Sequence, residues 1–449
     1  MRCIDCFDSA EPAIQRATIR HPRVVMAALA AAVVAPTFVF AYDPQTPLGR
    51  IGQTALQQQT GDAVNIVCPQ LGALPSRSAA QQDLFDRCGN MVGNAFQIEG
   101  INRAPLAKSL GLTPDQLAAA VQTVANEELA STKTMATDIS AAQVNSAIAR
   151  LSSIRSGVRF SVAGLAIDDF NAYAALDPRL QGQAGGTGGA AGDSLDGKWG
   201  LFITGNYGFG NRDGTPREDA FDSDRWGLTA GADYRVTDNL VLGGMVGYSS
   251  INSDFDTTPT VAGGGVDADA WGLGLYGTYY IDNFYVDGLV SWNQTSYDID
   301  RRIYLPIGAD PGTSSAVVET DRMAKGSTDS SDWTASLGAG MDFNRDNLSY
   351  GPFARLTYAQ ADIDGYSESG AFGLNLTVDD QNWESLTSVL GARISAALSQ
   401  SWGVLVPQAR LGWVHEFKND SQTFTAFYTV DPQQNPLLAL TDDPDRDYM

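Results

Sequence analysis

The sequence predicts an antiparallel β-barrel that spans a membrane, preceded by a small α-helical region. Two observations indicate this fold class: strict alternation of residue type along the C-terminal half, and connections that are alternately short and long. In one strand, Trp226, Leu228 and Tyr234 share one face while Thr229 and Asp233 lie on the other. A barrel in lipid turns its apolar face outward and keeps a polar interior, whereas a soluble barrel does the reverse.

The composition excludes one class of partner. The chain has 449 residues and a formal net charge of -23, and binding to nucleic acid requires a basic surface. The 46 glycines fit a sheet protein rich in small residues. We therefore expect no nucleic-acid partner.

The N-terminus has the features of an export signal. An apolar stretch at 24–40 follows several arginines, and Val39, Phe40 and Ala41 suit cleavage after residue 41. An uncleaved anchor helix is the alternative, which Pro36 and the short length disfavour. Cleavage leaves Cys68 and Cys88, an even number that suggests a disulfide in an exported protein; two free thiols remain the alternative.

Residues 42–182 form the predicted helical region, with helix expected as far as about residue 170. Thr113, Pro114 and Gln116 combine an N-cap, a proline in the first turn and a capping box. A second helix is expected to begin near Ser140, where Gln143 completes another box. Its apolar stripe comprises Val144, Ile148 and Leu151.

A glycine-rich linker at 183–197 leads to the predicted barrel at 198–449. About nine strands are expected, each long enough to cross the hydrocarbon core when tilted. They lie near 199–209, 225–236, 240–248, 271–281, 284–293, 333–343, 348–358, 386–398 and 402–417, with residues 423–430 as a tenth candidate.

Short turns and long polar connections alternate between these strands. The long ones are predicted at 210–224, 252–266, 300–328 and 364–382, and this asymmetry is typical of outer-membrane barrels. Aromatic residues gather at strand ends, as in the two girdles at the membrane interfaces. A soluble antiparallel sandwich is the alternative, but its strands are usually shorter.

Charged residues are predicted inside the barrel. Alternation directs several of them inward, and arginines near the end of the second helix could pair with the carboxylates if that helix occupies the pore. Solvated charges without specific partners are the alternative. These lumen and pore-helix residues are Arg150, Arg155, Arg159, Asp233, Arg235, Asp287, Asp342, Arg355, Arg393 and Arg410.

Three stretches resemble a known family. Residues 198–202 (KWGLF), 407–417 (PQARLGWVHEF) and 441–448 (TDDPDRDY) are similar to blocks of the autotransporter (type V secretion) translocator domain of Gram-negative bacteria. The resemblance implies an outer-membrane protein that exports and anchors its own N-terminal segment, at the cell surface or in the pore. It further implies contact with outer-membrane lipid, lipopolysaccharide and the barrel-assembly machinery, a monomer, no catalytic residue and no cofactor.

Family barrels have twelve strands, so nine or ten strands imply an incomplete barrel that lacks its last strands. The expected explanations are a truncated or fragmentary chain, or a sheet that closes imperfectly. An open sheet would leave unpaired backbone groups in lipid, each costing several kcal/mol.

Two other functions remain open at this stage. A plugged or porin-like barrel would have the same wall and export nothing. A secreted esterase is suggested by Gly192-Asp193-Ser194-Leu195, which matches the nucleophile block of the GDSL family. The mature chain has one histidine, His415, and Gly412 stands where that family has an aspartate. The same shortage of histidine and free cysteine argues against a zinc site.

Overall fold

The computed structural model describes residues 44–101, 105–125, 128–155, 160–170, 186–187, 198–212, 220–255, 263–396, 398–400, 403–405, 407–418, 423–440 and 446–448. Several predicted features lie outside these residues: the signal peptide, Arg159, Ser194 and most of the glycine-rich linker.

Five α-helices lie in the described part of the chain: α1 (Pro47–Ile51), α2 (Ala55–Gly72), α3 (Ala79–Ile98), α4 (Pro114–Gln122) and α5 (Glu128–Arg155). Capping boxes begin three of them. The N-cap side chains of Thr54, Ser78 and Thr113 each accept a hydrogen bond from the third helical residue, a glutamine that bonds back. The predicted start of α4 is thus confirmed.

The strands, in chain order, are β1 (Phe160–Phe170), β2 (Gly186–Thr187), β3 (Trp199–Arg212), β4 (Phe221–Arg235), β5 (Leu240–Phe255), β6 (Gly264–Ile281), β7 (Phe284–Leu305), β8 (Thr320–Met341), β9 (Phe343–Arg345), β10 (Leu348–Ile363), β11 (Tyr366–Ser367), β12 (Leu376–Val378), β13 (Gln381–Ala396), β14 (Leu398–Gln400), β15 (Gly403–Leu405), β16 (Gln408–Glu416), β17 (Thr423–Tyr428), β18 (Leu437–Leu440) and β19 (Asp447–Tyr448).

One large sheet forms the wall of the molecule. Its strand order is β1-β3-β4-β5-β6-β7-β8-β10-β13-β16-β19, and every pairing is antiparallel except that of β1 with β3. We call the end with short connections, such as Asp282–Asn283, the turn end, and the opposite end, with residues 306–319, the loop end. Asp282 adopts a left-handed φ of 50°, which a tight two-residue turn requires.

The outward face of the wall is apolar and exposed. Leu228, Leu273 and Leu337 are 49%, 51% and 61% exposed. A soluble sandwich would bury these leucines, so the predicted outward direction of the apolar face is confirmed.

Two rows of aromatic rings border this apolar face. Trp271 meets Trp292 edge to face on the loop-end side of the apolar face, and Trp199 lies against Tyr234 at the turn end, with ring centroids 5.0 Å apart in both pairs. Along β6, Trp271 and Tyr279 are eight residues apart. That separation is about 27 Å along a strand and about 21 Å once tilted by about 40°, close to the height of an outer-membrane apolar band.

Several predicted boundaries were wrong. Helix was expected up to about residue 170, but α5 ends at Arg155 and Phe160–Phe170 is a strand beside β3. No helix begins at Ser140, which lies buried in the middle of α5. The capping-box pattern predicted a helix start wrongly here. Ser140 and Gln143 are polar because they face the interior of the wall from the middle of a buried helix, not because they cap its end.

The long connections are shorter than predicted because the strands continue into them. Strands β7 and β8 pair as far as Leu305 with Thr320, so the expected loop at 300–328 shrinks to residues 306–319. Residues 423–430 provide β17, yet β17 joins β12 and β18 in a separate four-stranded sheet at the loop end instead of the wall. Apolar residues on these strand extensions are buried by other parts of the protein at the loop end, beyond the apolar band.

Helices α1 to α4 pack onto the loop end and share one hydrophobic core with it. Leu71, Leu84 and Leu117 from the helices are fully buried, together with Ile303 and Leu376 from the strands. We call this assembly of α1–α4, the strand extensions and the sheet β11-β12-β17-β18 the cap. A disulfide joins Cys68 on α2 to Cys88 on α3.

Candidate functional site: the helix inside the barrel wall

Helix α5 lies against the inner face of the wall and runs from the cap to the turn end. In its first half, Met135 and Ile139 are buried in the hydrophobic core that the cap shares with β7. Its last residue, Arg155, reaches Asp287 close to the turn end. The chain therefore passes from the cap through the interior before it enters the wall strands.

The helix is buried on nearly all sides although much of its surface is small or polar. Ser131, Thr132, Ser140, Ser146 and Ser152 are all less than 9% exposed. A buried helix is normally apolar all round. A polar buried helix fits an interior whose inward side chains are themselves polar.

Glycines on the wall let α5 approach closely. A Cβ added to Gly272 would overlap both Gln143 of the helix and Asn293 of the next strand. Gly247 lies beside the same glutamine. Position 272 of β6 therefore needs a residue without a side chain, whereas a Cβ at position 247 of β5 would make only ordinary contact with the glutamine.

The predicted apolar stripe of α5 packs against a matching patch of the wall. Val144, Ile148 and Leu151 are buried with Phe202 and Met245. The interior is thus only partly polar, and this patch orients the helix about its axis.

A buried ion pair joins α5 to β4. Arg150 Nε lies 2.6 Å from Asp233 Oδ2, and Arg150 Nη2 donates to Asp233 Oδ1 at 3.0 Å. The Tyr276 hydroxyl donates to the same carboxylate at 3.1 Å. Arg150 and Asp233 side chains are 0% and 6% exposed, so this bidentate pair is sealed from water.

A second set of charges lies at the turn end. Arg155 Nη1 is 2.5 Å from Asp287 Oδ1, and its Nε is 3.2 Å from Asp342 Oδ2. Asp342 also accepts a hydrogen bond from Arg393 Nε at 3.0 Å. Arg393 in turn donates to the Ser152 hydroxyl of α5 at 3.0 Å. The end of the helix is thereby linked to β7, to the turn after β8 and to β13.

Arg355 and Arg410 complete this set. Arg355 Nη2 is 3.6 Å from Asp287 Oδ2, and Arg410 lines the same small cavity as Arg155, Arg355 and Arg393. The structure thus places eight of the ten predicted charges in two sets, Arg150 with Asp233 and the other six at the turn end, and Arg159 lies outside the described residues. Arg235 lies apart, half-buried at the turn end, where it donates to the Asp238 carbonyl and the Tyr280 hydroxyl.

Sequence reasoning missed Asp138 and Arg225, whose side chains approach within 3.6 Å between α5 and β4. Asp138 was overlooked because α5 was expected to begin after it. Asp138 lies about three helical turns before Arg150, and its place on the same helix is the sequence signal that could have identified it as another inward charge.

The cap contacts were also missed. Arg301 and Glu368, both 1% exposed, form a bidentate pair that joins β7 to the loop-end segment beside β11. Arg301 donates further to the carbonyls of Thr123, just after α4, and Leu374. This arginine therefore holds the helices, the wall extension and the small sheet together.

A second ion pair fastens α3 to the wall. Arg322 of β8 contacts Asp83, with the nearest atoms 2.5 Å apart. Burial would raise the pKa of the Asp83 carboxyl, but the hydrogen bond and charge of Arg322, aided by Arg87, hold it below its ordinary value. The carboxylate is therefore charged at neutral pH.

Backbone hydrogen bonds join the loop at 306–319 to the connection between α3 and α4. Gly308 and Ser314 donate backbone hydrogen bonds to the carbonyls of Leu110 and Ala107, at 2.9 and 2.7 Å. Asn90 of α3 donates to the Ala316 carbonyl at 3.0 Å. Backbone pairing of this kind binds the helices to the wall irrespective of side-chain identity.

Among the described residues, no three or more His, Cys, Asp and Glu side chains are placed to hold a metal ion. None of the described helices has both the length and the apolar content needed to cross a membrane. His415 lies on β16 between Trp413 and Phe417, with Nδ1 2.8 Å from Asp447.

Comparison with known proteins identifies the wall. Residues 201–449 match the family described as "Autotransporter beta-domain". Over 232 residues the chain is 26% identical to outer membrane protein A of Rickettsia rickettsii, covering 51% of this chain and 10% of that protein. Over 248 residues it is 28% identical to Lipase 1 of Photorhabdus luminescens, covering 55% of this chain and 32% of that protein.

Solved structures similar to the chain include two autotransporter domains. The translocator domain of NalP from Neisseria meningitidis aligns over 51% of this chain and 76% of its own, with 16% identity and a TM-score of 0.39. The β-domain of the Bordetella autotransporter BrkA aligns over 51% and 91%, with 19% identity and a TM-score of 0.35. From the family match over more than half its length, the chain belongs to the autotransporter β-domain family, and its location is the bacterial outer membrane.

Proposed function

We propose that the wall exports the chain's own N-terminal helices and then holds them at the cell surface as the cap. The single observation that carries this proposal is the path of α5, which joins the cap to the turn end through the interior. Short turns face the periplasm and long loops face outside in outer-membrane barrels. On that orientation, α1–α4 lie outside the cell.

The ion pairs of α5 support the proposal that this helix is fixed to the wall and does not merely fill the interior. Arg150 and Arg155 bind Asp233, Asp287 and Asp342 with little exposure to water. Breaking such pairs would leave buried charges without partners, which costs several kcal/mol each. The ion pairs therefore oppose withdrawal of the helix in either direction.

The shared core supports retention of the exported helices. Residues of α2, α3 and α4 are buried by residues of β7 and of the small loop-end sheet. A segment released from the surface would expose that apolar core to water. We infer that the helices remain attached and that their fold is completed by the loop end.

Cysteine labelling on intact cells tests the proposal. Ile101 is 52% exposed just after α3, and Asp238 is exposed at the turn end. A membrane-impermeant maleimide should label Ile101→Cys on intact cells and Asp238→Cys only after the outer membrane is permeabilised. Cys68 and Cys88 form a disulfide, and cleavage after residue 41 would remove Cys3 and Cys6, so the unsubstituted mature chain is the unlabelled control.

A plugged barrel that exports nothing is the competing function. It predicts helices on the periplasmic side, so that Ile101→Cys would need permeabilisation before it reacts. That result would contradict the proposal. We further propose that lipid covers the outward leucines, that lipopolysaccharide contacts the wall near the loop end, and that the barrel-assembly machinery inserts the chain as a monomer.

A further inference from the structure

We propose that the arginine cluster at the turn end of the interior binds a small inorganic anion of halide size, such as chloride. The cluster comprises Arg155, Arg355, Arg393 and Arg410, which converge on one cavity between α5 and the wall. This inference is independent of whether the helices are exported.

Charge in the cluster is unbalanced. Two carboxylates, Asp287 and Asp342, face the four guanidinium groups. Each carboxylate is already shared: Asp287 between Arg155 and Arg355, and Asp342 between Arg155 and Arg393. Among the described residues no carboxylate lies within ion-pair distance of Arg410, so positive charge is in excess.

One N–H donor group of Arg410, on Nη2, lacks an acceptor within this cluster. Its Nη2 is buried and makes no hydrogen bond to any described residue. The neighbouring arginines have partners of their own, such as the Ser336 hydroxyl, which accepts from Arg355 Nη1 at 3.0 Å. A buried charged donor without an acceptor is strongly unfavourable, so the site calls for an acceptor.

The cavity beside Arg410 has room for a small hydrogen-bond acceptor. Its volume is about 30 Å³, which is about two water-sized probes. A monatomic anion fits this space, whereas a large organic anion does not. Water would satisfy the donor, but only an anion would also offset the charge of the four arginines.

The walls of the cavity favour an ion held without its hydration shell. Ile148, Phe353 and Val389 provide apolar surface, and the ring of Tyr285 lies 3.8 Å from the Arg155 guanidinium carbon and 4.9 Å from that of Arg393. In such surroundings a bare anion would be stabilised almost entirely by the guanidinium groups. Binding would in turn strengthen the link between α5 and the wall.

Bromide is the probe that tests this site. The full chain, folded in non-ionic detergent, is unfolded by heat in sodium gluconate, and gluconate is then replaced by bromide at constant ionic strength. Bromide should raise the midpoint of unfolding and the shift should saturate, because a ligand that binds only the folded state stabilises it. Crystals soaked in bromide should show an anomalous peak among the four arginines.

Substitutions of single arginines test whether the bromide-dependent stabilisation arises at this cluster. Arg410→Gln should abolish the bromide-dependent shift, whereas Arg302→Gln, at an exposed pair with Asp321, should leave it intact. If Arg410→Gln does not fold, Arg410→Lys retains a charge at the site and should show the shift with weaker bromide affinity.

The proposal is overturned if the unsubstituted chain unfolds at the same temperature in gluconate and bromide. It is equally overturned if the shift is unchanged in Arg410→Gln, or if the anomalous peaks lie only on the surface. The labelling experiment on intact cells has no bearing on these outcomes, so the two proposals fail separately.

Discussion

Replacing Arg150 with methionine tests whether the α5–β4 ion pair anchors the helix. The substitution retains much of the apolar stem but leaves the Asp233 carboxylate, 6% exposed, without its bidentate partner. Loss of one partner from a buried pair typically costs 3–5 kcal/mol; we expect about 3 kcal/mol because Tyr276 still donates to that carboxylate. Arg150→Met should therefore lower the free energy of unfolding substantially.

A double-mutant cycle isolates the interaction. Asp233→Asn alone should also be destabilising, while Arg150→Met with Asp233→Asn should recover most of the loss, since neither charge then remains buried. Arg302→Met, which breaks a pair that is 38% and 47% exposed, is the matched control and should change stability much less.

Urea unfolding in detergent micelles, followed by tryptophan fluorescence, measures these differences. The reasoning is refuted if Arg150→Met is no more destabilising than Arg302→Met. It is also refuted if the losses from the two single substitutions simply add in the double variant, because a direct buried pair must couple them.

Three further outcomes are expected. Leu275→Arg, at the most exposed leucine of the outward face, should cost about 2–4 kcal/mol of folding free energy in bilayers, whereas Leu275→Met should be neutral. Replacing Cys68 and Cys88 with serine should cost about 3 kcal/mol for a crosslink spanning 20 residues, measured as a loss in thermal stability equal to that caused by reductant. Asp83→Asn should be destabilising at pH 7. The difference should begin to shrink as the pH falls below the ordinary value of 3.8 and should be lost as the pH falls through the lower pKa of the folded protein, because the stabilisation exists only while the carboxyl is ionised. An equal difference at pH 7 and pH 3 would contradict this assignment.

The wall was predictable because its signal is local. Alternation has a period of two residues, so each of Leu228, Leu273 and Leu337 reports its own direction without knowledge of the rest of the chain. The inward direction of Asp233 and Asp287 follows from the same rule. Capping residues such as Thr113 are equally local, since their partners lie three residues away.

The partners of those side chains were not predictable in the same way. Arg150 and Asp233 are separated by 83 residues, and α5 carries two arginines, Arg150 and Arg155, whose partners alternation alone cannot assign. The charge excess around Arg410 emerges only when α5 and the four strands β7, β10, β13 and β16 converge. Arg301 and Glu368 gave no signal at all, because each looks like an ordinary charge in a polar loop.

Residue order alone thus specified a lipid-facing wall, its two aromatic rows and a polar interior, since each depends on contacts between a side chain and its solvent. The tertiary structure decided that α5 fills that interior and that α1–α4 complete a core with the loop end. Those outcomes depend on which distant surfaces meet, because the apolar residues of the strand extensions are buried by helices that lie far from them in the sequence.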